Sequence, residues 1–140
     1  MIKLKFILIA FLVFNNINAQ KKSFLKDKLS VCLNYPKFIS FFNICKKETD
    51  TIYINDNTKK IEEFTSIKAS CSKLLIIQKS SINIDVNEYK PNCKSEIVLY
   101  KYELRKGVYK FSFLDICSNA NMVIELNSKN KIINYSTGMF

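Results

Sequence analysis

The chain has 140 residues and a formal net charge of +10 at pH 7, from 22 basic and 12 acidic residues. It contains no histidine, which excludes Ser-His and Cys-His nucleophile pairs and imidazole acid–base catalysis. The basic charge suits an acidic partner. Nucleic acid is not expected, because Arg105 is the only arginine and no glycine-rich phosphate loop is present. No cofactor is expected either.

Residues 1–19 have the pattern of a signal peptide. Two lysines precede a nine-residue apolar run that begins at Phe6, and Ala19 provides a cleavage site. Nine apolar residues are too few for a membrane span, which needs about 20. We therefore expect an exported protein, periplasmic or secreted, with a single domain at residues 20–140 and no transmembrane segment after cleavage.

The five cysteines all follow the predicted cleavage site, in a compartment where disulfides persist. An odd number leaves at least one thiol unpaired, and no two cysteines have the two-residue spacing of a zinc site. A bridge from Cys32 to Cys45 is disfavoured, because a helix would hold the two about 12 Å apart. One or two bridges are expected among Cys45, Cys71, Cys93 and Cys117.

Two amphipathic helices are predicted at the start of the mature chain. Apolar residues recur at helical spacing from Ser23 to Leu33, with Ser23 available as the N-cap. Pro36 suits a first helical turn, and a second helix is predicted from Pro36 to Cys45. The second helix is apolar nearly all round, which predicts burial between the first helix and a sheet.

The middle of the chain predicts short strands and one more helix. The strands are predicted at Thr51–Ile54, Leu74–Gln78 and Ile82–Val86, where apolar runs or alternation are bounded by turn residues. Between the first two strands, a one-sided helix is predicted to start near Thr58 and to extend to about Ile67.

The C-terminal part of the chain predicts an antiparallel meander. Its first hairpin turns at Lys106 and Gly107, and this register keeps apolar and charged residues on separate faces. The predicted cross-strand pairs are Leu104 with Tyr109, Tyr102 with Phe111, Tyr100 with Phe113 and, on the other face, Glu103 with Lys110. A third strand follows, with Met122, Ile124 and Leu126 on one face, and then a fourth at Lys131–Tyr135.

The predicted fold class is α+β, with N-terminal helices packed on a curved antiparallel sheet of four to six strands that ends in the C-terminal meander. The order of two helices, a strand, a third helix and a long meander resembles the nuclear transport factor 2-like cone and, more distantly, the cystatin-like superfold. The resemblance implies no activity, because that superfold hosts enzymes, ligand binders and adaptors. The chain also lacks the His-Asp pair of many enzymes with this fold.

Three functions are compatible with these features. The preferred hypothesis is a small exported, non-enzymatic domain that binds a protein or a small ligand. The alternatives are a ligand carrier or enzyme that uses a cone-like cavity, and an immunity or inhibitor protein that neutralises an exported toxin. No catalytic residue or metal ligand is predicted. The expected ligand-binding residues lie at the open rim of the sheet and are Tyr53, Tyr100 and Asp115.

Overall fold

A computed structural model describes residues 24–61, 65–80 and 94–139. The predicted signal peptide, the Ser23 cap, the strand at Ile82–Val86 and Cys93 lie outside the described residues. In the described ranges, no helix is both long enough and apolar enough to cross a membrane.

The described residues form two helices, a 3-10 turn and one seven-stranded sheet. The helices are α1 (residues 24–33) and α2 (Pro36–Phe41), and the 3-10 turn η1 covers Ile44–Lys46. The strands are β1 (Thr51–Asp56), β2 (Thr65–Lys68), β3 (Leu74–Lys79), β4 (Ile97–Arg105), β5 (Val108–Asp115), β6 (Ala120–Leu126) and β7 (Ile132–Met139).

The strands lie in the order β2-β3-β1-β4-β5-β6-β7. Strand β1 runs parallel to both of its neighbours, β3 and β4, and the other neighbouring pairs are antiparallel. The α+β class and the C-terminal meander are confirmed. The sheet, however, is mixed and has seven strands instead of four to six antiparallel ones, and it is neither closed nor strongly curled.

Helix α2 is shorter than the sequence predicts. It ends at Phe41, and Asn43 has the left-handed backbone conformation, with φ of 51°. Asparagine tolerates this conformation better than most residues and so ends the helix. Cys45 therefore lies in the 3-10 turn η1 and not in α2.

The prediction of a helix that starts near Thr58 is wrong for the residues of that segment that the structure describes, 58–61 and 65–67. The carboxylate of Asp56 accepts hydrogen bonds from the backbone N–H of Thr58 (2.8 Å) and of Ile61 (3.0 Å), which holds this segment in a turn. The following Thr65–Lys68 is strand β2, whose residues alternate between buried and exposed. This period of two favours a strand over the predicted helix.

The predicted hairpin register is confirmed near the turn. Lys106 and Gly107 have φ of 51° and 75°, as a type I′ turn requires. The confirmed pairs are Leu104 with Tyr109, Tyr102 with Phe111, and Glu103 with Lys110.

The predicted pairing of Tyr100 with Phe113 is wrong. Phe113 is opposite Leu99, and the register shifts between Leu99 and Lys101, so Tyr100 is the extra residue of a β-bulge. A bulge adds one residue to a strand, so the core-facing positions of β4 change from Leu99 to Tyr102 across it.

The face of the sheet beneath the helices is the hydrophobic core. Phe111 and Phe113 are fully buried, and the ring of Phe113 lies edge-on to that of Phe38 in α2, with centroids 4.9 Å apart. The expected apolar face of β6 is confirmed, since Met122, Ile124 and Leu126 are buried in the same cluster. The aromatic side of the meander is thus covered by the helices.

One disulfide joins the helical segment to the sheet. Cys45 in η1 is bonded to Cys71, between β2 and β3, with a Cα–Cα distance of 5.8 Å. Cys117 is also disulfide-bonded. Cys32 is a free thiol buried in the core, and burial raises its pKa.

A buried lysine fixes α1 to the turn between β6 and β7. The ammonium of Lys28 donates to the carbonyl oxygens of Asn127 (3.0 Å) and Ser128 (3.3 Å) and to Oδ1 of Asn130 (2.8 Å). It also lies 3.9 Å from the centre of the Tyr109 ring, a cation–π contact. Burial lowers the pKa of this ammonium, and the oxygens and the ring compensate for part of the lost hydration.

We expect Lys28→Ala to lower the free energy of unfolding by about 2 kcal/mol, because it removes a buried side chain and the donor to three oxygens. Urea unfolding followed by circular dichroism measures the change. Lys26→Ala, at an exposed position of the same helix, is the matched control and should stay within about 0.5 kcal/mol of the parent. Equal stability of the two variants would contradict the structural role of Lys28.

Candidate functional site

The three residues predicted at the rim of the sheet lie in different surroundings. Tyr53 on β1 is 51% exposed and alternates with Ile52 and Ile54, which are buried beneath the helices. Its ring therefore lies on the open face of the sheet. Asp115, at the end of β5, is buried, and Tyr100 is the bulged residue of β4.

A groove on the open face contains Tyr53. It has a volume of about 550 Å³ and lies where β3, β1 and the start of β4 meet. We call it the Tyr53 groove, and its lining residues are Lys47, Thr49, Thr51, Ile52, Tyr53, Asn55, Gln78, Lys94, Ser95, Glu96 and Ile97. Asp115 contacts this lining from below through Ser95, whereas Tyr100 does not line the groove.

A chain of amide and carboxylate groups crosses the floor of the groove. The side-chain amide of Gln78 donates to Oδ1 of Asn55 (2.7 Å), and Nδ2 of Asn55 donates to Oε1 of Glu96. These contacts link β3, β1 and the residue before β4. They fix the orientation of Asn55, which is buried. Only Oε1 of Glu96 takes part in these bonds.

A second set of hydrogen bonds holds the end of the groove near Lys47. The ammonium of Lys47 donates to Oγ of Ser95 (2.8 Å), and that hydroxyl donates to Oδ2 of Asp115 (2.8 Å). Oδ1 of Asp115 accepts from the backbone N–H groups of Cys117 (3.0 Å) and Glu96 (3.4 Å). Asp115 thus positions Ser95 and the start of β4.

The contact between Lys47 and Ser95 has the spacing of a lysine-assisted serine nucleophile. A lysine that acts as a base must be held deprotonated by burial. Lys47 is only partly buried, and its serine partner is already bonded to a carboxylate. The geometry accordingly favours a structural contact over a catalytic pair.

On the same face, β4 and β5 first carry the buried Val98, Ser112 and Leu114, and paired charges follow towards the hairpin turn. Lys110 lies 3.6 Å from Glu125 on the neighbouring strand, and Lys101 lies 3.2 Å from Glu103. Sequence alternation predicts cross-strand pairing with lysine for both glutamates, and this is confirmed for Glu125, whereas Glu103 pairs with a lysine of its own strand. Exposed pairs of this kind contribute about 0–1 kcal/mol to stability, so they serve mainly to keep this area polar.

The residues that sequence reasoning missed are Lys47, Ser95 and Glu96. They lie outside the regular elements, in segments that precede β1 and β4. They come together because β1 and β4 are parallel neighbours, so both strands begin at the same end of the sheet. Neither alternation nor turn residues indicate that pairing.

No family model, curated protein or solved structure matches this chain. The chemistry of the Tyr53 groove is therefore inferred from its own side chains. The groove offers an exposed aromatic ring, the ammonium groups of Lys47 and Lys94, and a carboxylate from Glu96. Among the described residues, no cluster of acidic or sulfur-containing side chains could hold a metal ion.

Proposed function

We propose that this protein is a small exported, non-enzymatic binding domain whose Tyr53 groove receives an acidic segment of a partner protein. The observation that carries the proposal is the exposed ring of Tyr53 beside two lysines, on a floor held by hydrogen bonds. Tyrosine supplies contact area at low entropic cost, and tyrosine is enriched among the residues that dominate protein interfaces.

The organisation of the polar groups favours binding over catalysis. Each oxygen of Asp115 accepts at least one hydrogen bond from the protein, so this carboxylate is committed to holding the backbone. Glu96 is bonded to Asn55, and Ser95 is bonded on both sides. Side chains that are already hydrogen-bonded make a rigid surface, which lowers the entropy lost when a partner binds.

Charge favours an acidic partner. The excess of basic over acidic residues attracts an acidic protein at long range, and Lys47 and Lys94 supply positive charge inside the groove. Binding should therefore weaken as salt is added, since ions at 0.1 M ionic strength screen the attraction between exposed charges more than about 10 Å apart. An immunity or inhibitor protein would be one biological form of this activity.

Photocrosslinking from the groove tests the proposal. We expect a photoreactive phenylalanine analogue in place of Tyr53 to give one major adduct with an acidic protein when the cells that make the protein are irradiated. The matched control carries the analogue in place of Leu104, which is 55% exposed at the far end of β4, and should not give this adduct. No adduct from position 53, or the same adducts from both positions, would contradict the proposal.

A further inference from the structure

The last strand of the sheet has one edge that pairs with none of the described residues. Strand β7 ends the strand order and pairs with β6 on one side only. Seven of its eight residues are exposed. An edge of this kind presents unpaired N–H and C=O groups that can pair with another strand.

Strand β7 has a β-bulge at Ile133 but lacks the charges and prolines that protect most sheet edges. Ile132–Met139 contains neither a charged residue nor a proline. It exposes large apolar side chains instead, since Ile133 is 48%, Tyr135 is 40% and Met139 is 78% exposed. Natural proteins usually blunt a free edge with charges, proline or a short strand.

The opposite edge of the same sheet has such protection. Strand β2 has four residues, and its exposed positions are Ser66 and Lys68. The two edges of the sheet therefore differ in length and in charge, and only β7 is suited to strand pairing.

We propose that β7 pairs with β7 of a second copy of this chain, in antiparallel orientation, to form a continuous fourteen-stranded sheet. Residues directly opposite each other in an antiparallel pair share one face of the sheet, so a two-fold axis must pass through a residue position. An axis at Ser136 sets Tyr135 opposite Thr137 of the second copy and Asn134 opposite Gly138. It also brings the exposed Ile133 near Met139 of the second copy.

The absence of charge in β7 favours a second copy over a peptide with an acidic or a basic segment, because the strand has no side chain to attract either one. The net charge of +10 repels the second copy at long range, but the contact itself adds no like-charge pair. Eight residues form a small interface compared with the standard of about 1,600 Å². The dimer should consequently depend on concentration and should be strengthened by salt.

Sedimentation velocity of the purified protein tests the pairing between about 1 µM and about 1 mM, the range of weak association. We expect a monomer at the low end and a dimer at the high end. Ser136→Lys should weaken the dimer at least tenfold, because it places two ammonium groups opposite each other at the two-fold axis. The matched control, Ser66→Lys on β2, adds the same charge at the other edge and should dimerise like the parent. Thermal unfolding checks that both variants are folded.

Three outcomes would overturn the proposal. The first is a parent protein that stays monomeric over the whole range. The second is a Ser136→Lys variant that dimerises like the parent, which would assign the dimer to another surface. The third is a parent protein that stays monomeric and binds a different protein, when that binding is lost in Ser136→Lys. Dimerisation that is lost in Ser136→Lys and kept in Ser66→Lys supports self-pairing.

Discussion

Replacing Phe113 by alanine is expected to lower the free energy of unfolding by about 4 kcal/mol, the usual cost of removing a buried aromatic ring. Phe113 is fully buried, lies between Leu99 of β4 and Met122 of β6, and contacts the ring of Phe38 in α2. Loss of the Phe113 ring therefore weakens the packing of α2 on the sheet and the packing between β5 and its neighbouring strands. Urea unfolding followed by circular dichroism measures it.

Leu104→Ala is the control for this variant. Leu104 is in the same hairpin but is 55% exposed, so its truncation should change stability by no more than about 0.5 kcal/mol. A cost below about 1 kcal/mol for Phe113→Ala would mean that the helices do not cover this face of the sheet.

Removing the disulfide with Cys45→Ala and Cys71→Ala together is expected to lower the free energy of unfolding by about 3 kcal/mol. The two cysteines are 26 residues apart in the chain, and the bond restricts the unfolded chain over that whole segment. In the folded protein it also ties η1 to the turn between β2 and β3. Thermal and urea unfolding of the oxidised proteins give the difference.

Cys32→Ala is the matched cysteine control, since it removes a sulfur but no bridge, and it should cost about 1 kcal/mol or less. Burial shields the Cys32 thiol and raises its pKa, so Cys32 should not react with a thiol reagent at pH 8 in the folded protein and should react in the unfolded protein. Alkylation of Cys45 or Cys71 before reduction would contradict the assigned bridge.

The hairpin and the core could be predicted from sequence because they depend on local patterns. Turn chemistry at Lys106 and Gly107, together with the alternation of apolar residues, specifies which residues of β4 and β5 face each other. The bulge at Tyr100 shifts the phase of the alternation in β4, and it could not be predicted because Ile97, Val98 and Leu99 are all apolar and hide that shift.

The order of the strands could not be predicted, because it depends on contacts between distant segments. Strand β1 reads as a short apolar strand, and nothing within it indicates two parallel neighbours. A helix is predicted up to about Ile67 because Ile61, Phe64 and Ile67 fit a one-sided spacing, and the pairing of β2 with β3 outweighs that weak local preference.

Of the three residues that the sequence predicts at the rim, Tyr53 lines the groove, and Tyr100 and Asp115 do not. Tyr53 and Asp115 were expected near the open rim, and they lie on the groove surface and beneath it, respectively. Lys47 and Glu96 were not expected, because their place in the groove depends on the parallel pairing of β1 with β4. Sequence patterns therefore give no indication that Lys47 and Glu96 lie beside Tyr53.

The groove and the unpaired edge are separate features of one sheet. The Tyr53 groove lies at β3, β1 and the start of β4, whereas β7 lies three strands from β4. Pairing through β7 would leave the groove open. A Ser136→Lys variant should accordingly lose the dimer and keep the adduct from position 53, so the two proposals can fail independently.

The most direct test of the binding function is the affinity of the captured partner for Tyr53→Ala, measured by isothermal titration calorimetry against the parent and Leu104→Ala. A central aromatic residue of an interface typically contributes about 2 kcal/mol or more. We predict that Tyr53→Ala weakens binding about 30-fold, the equivalent of 2 kcal/mol, and that Leu104→Ala changes it less than about twofold. Equal affinity of the partner for Tyr53→Ala and the parent protein would contradict the assignment of the groove as the binding site.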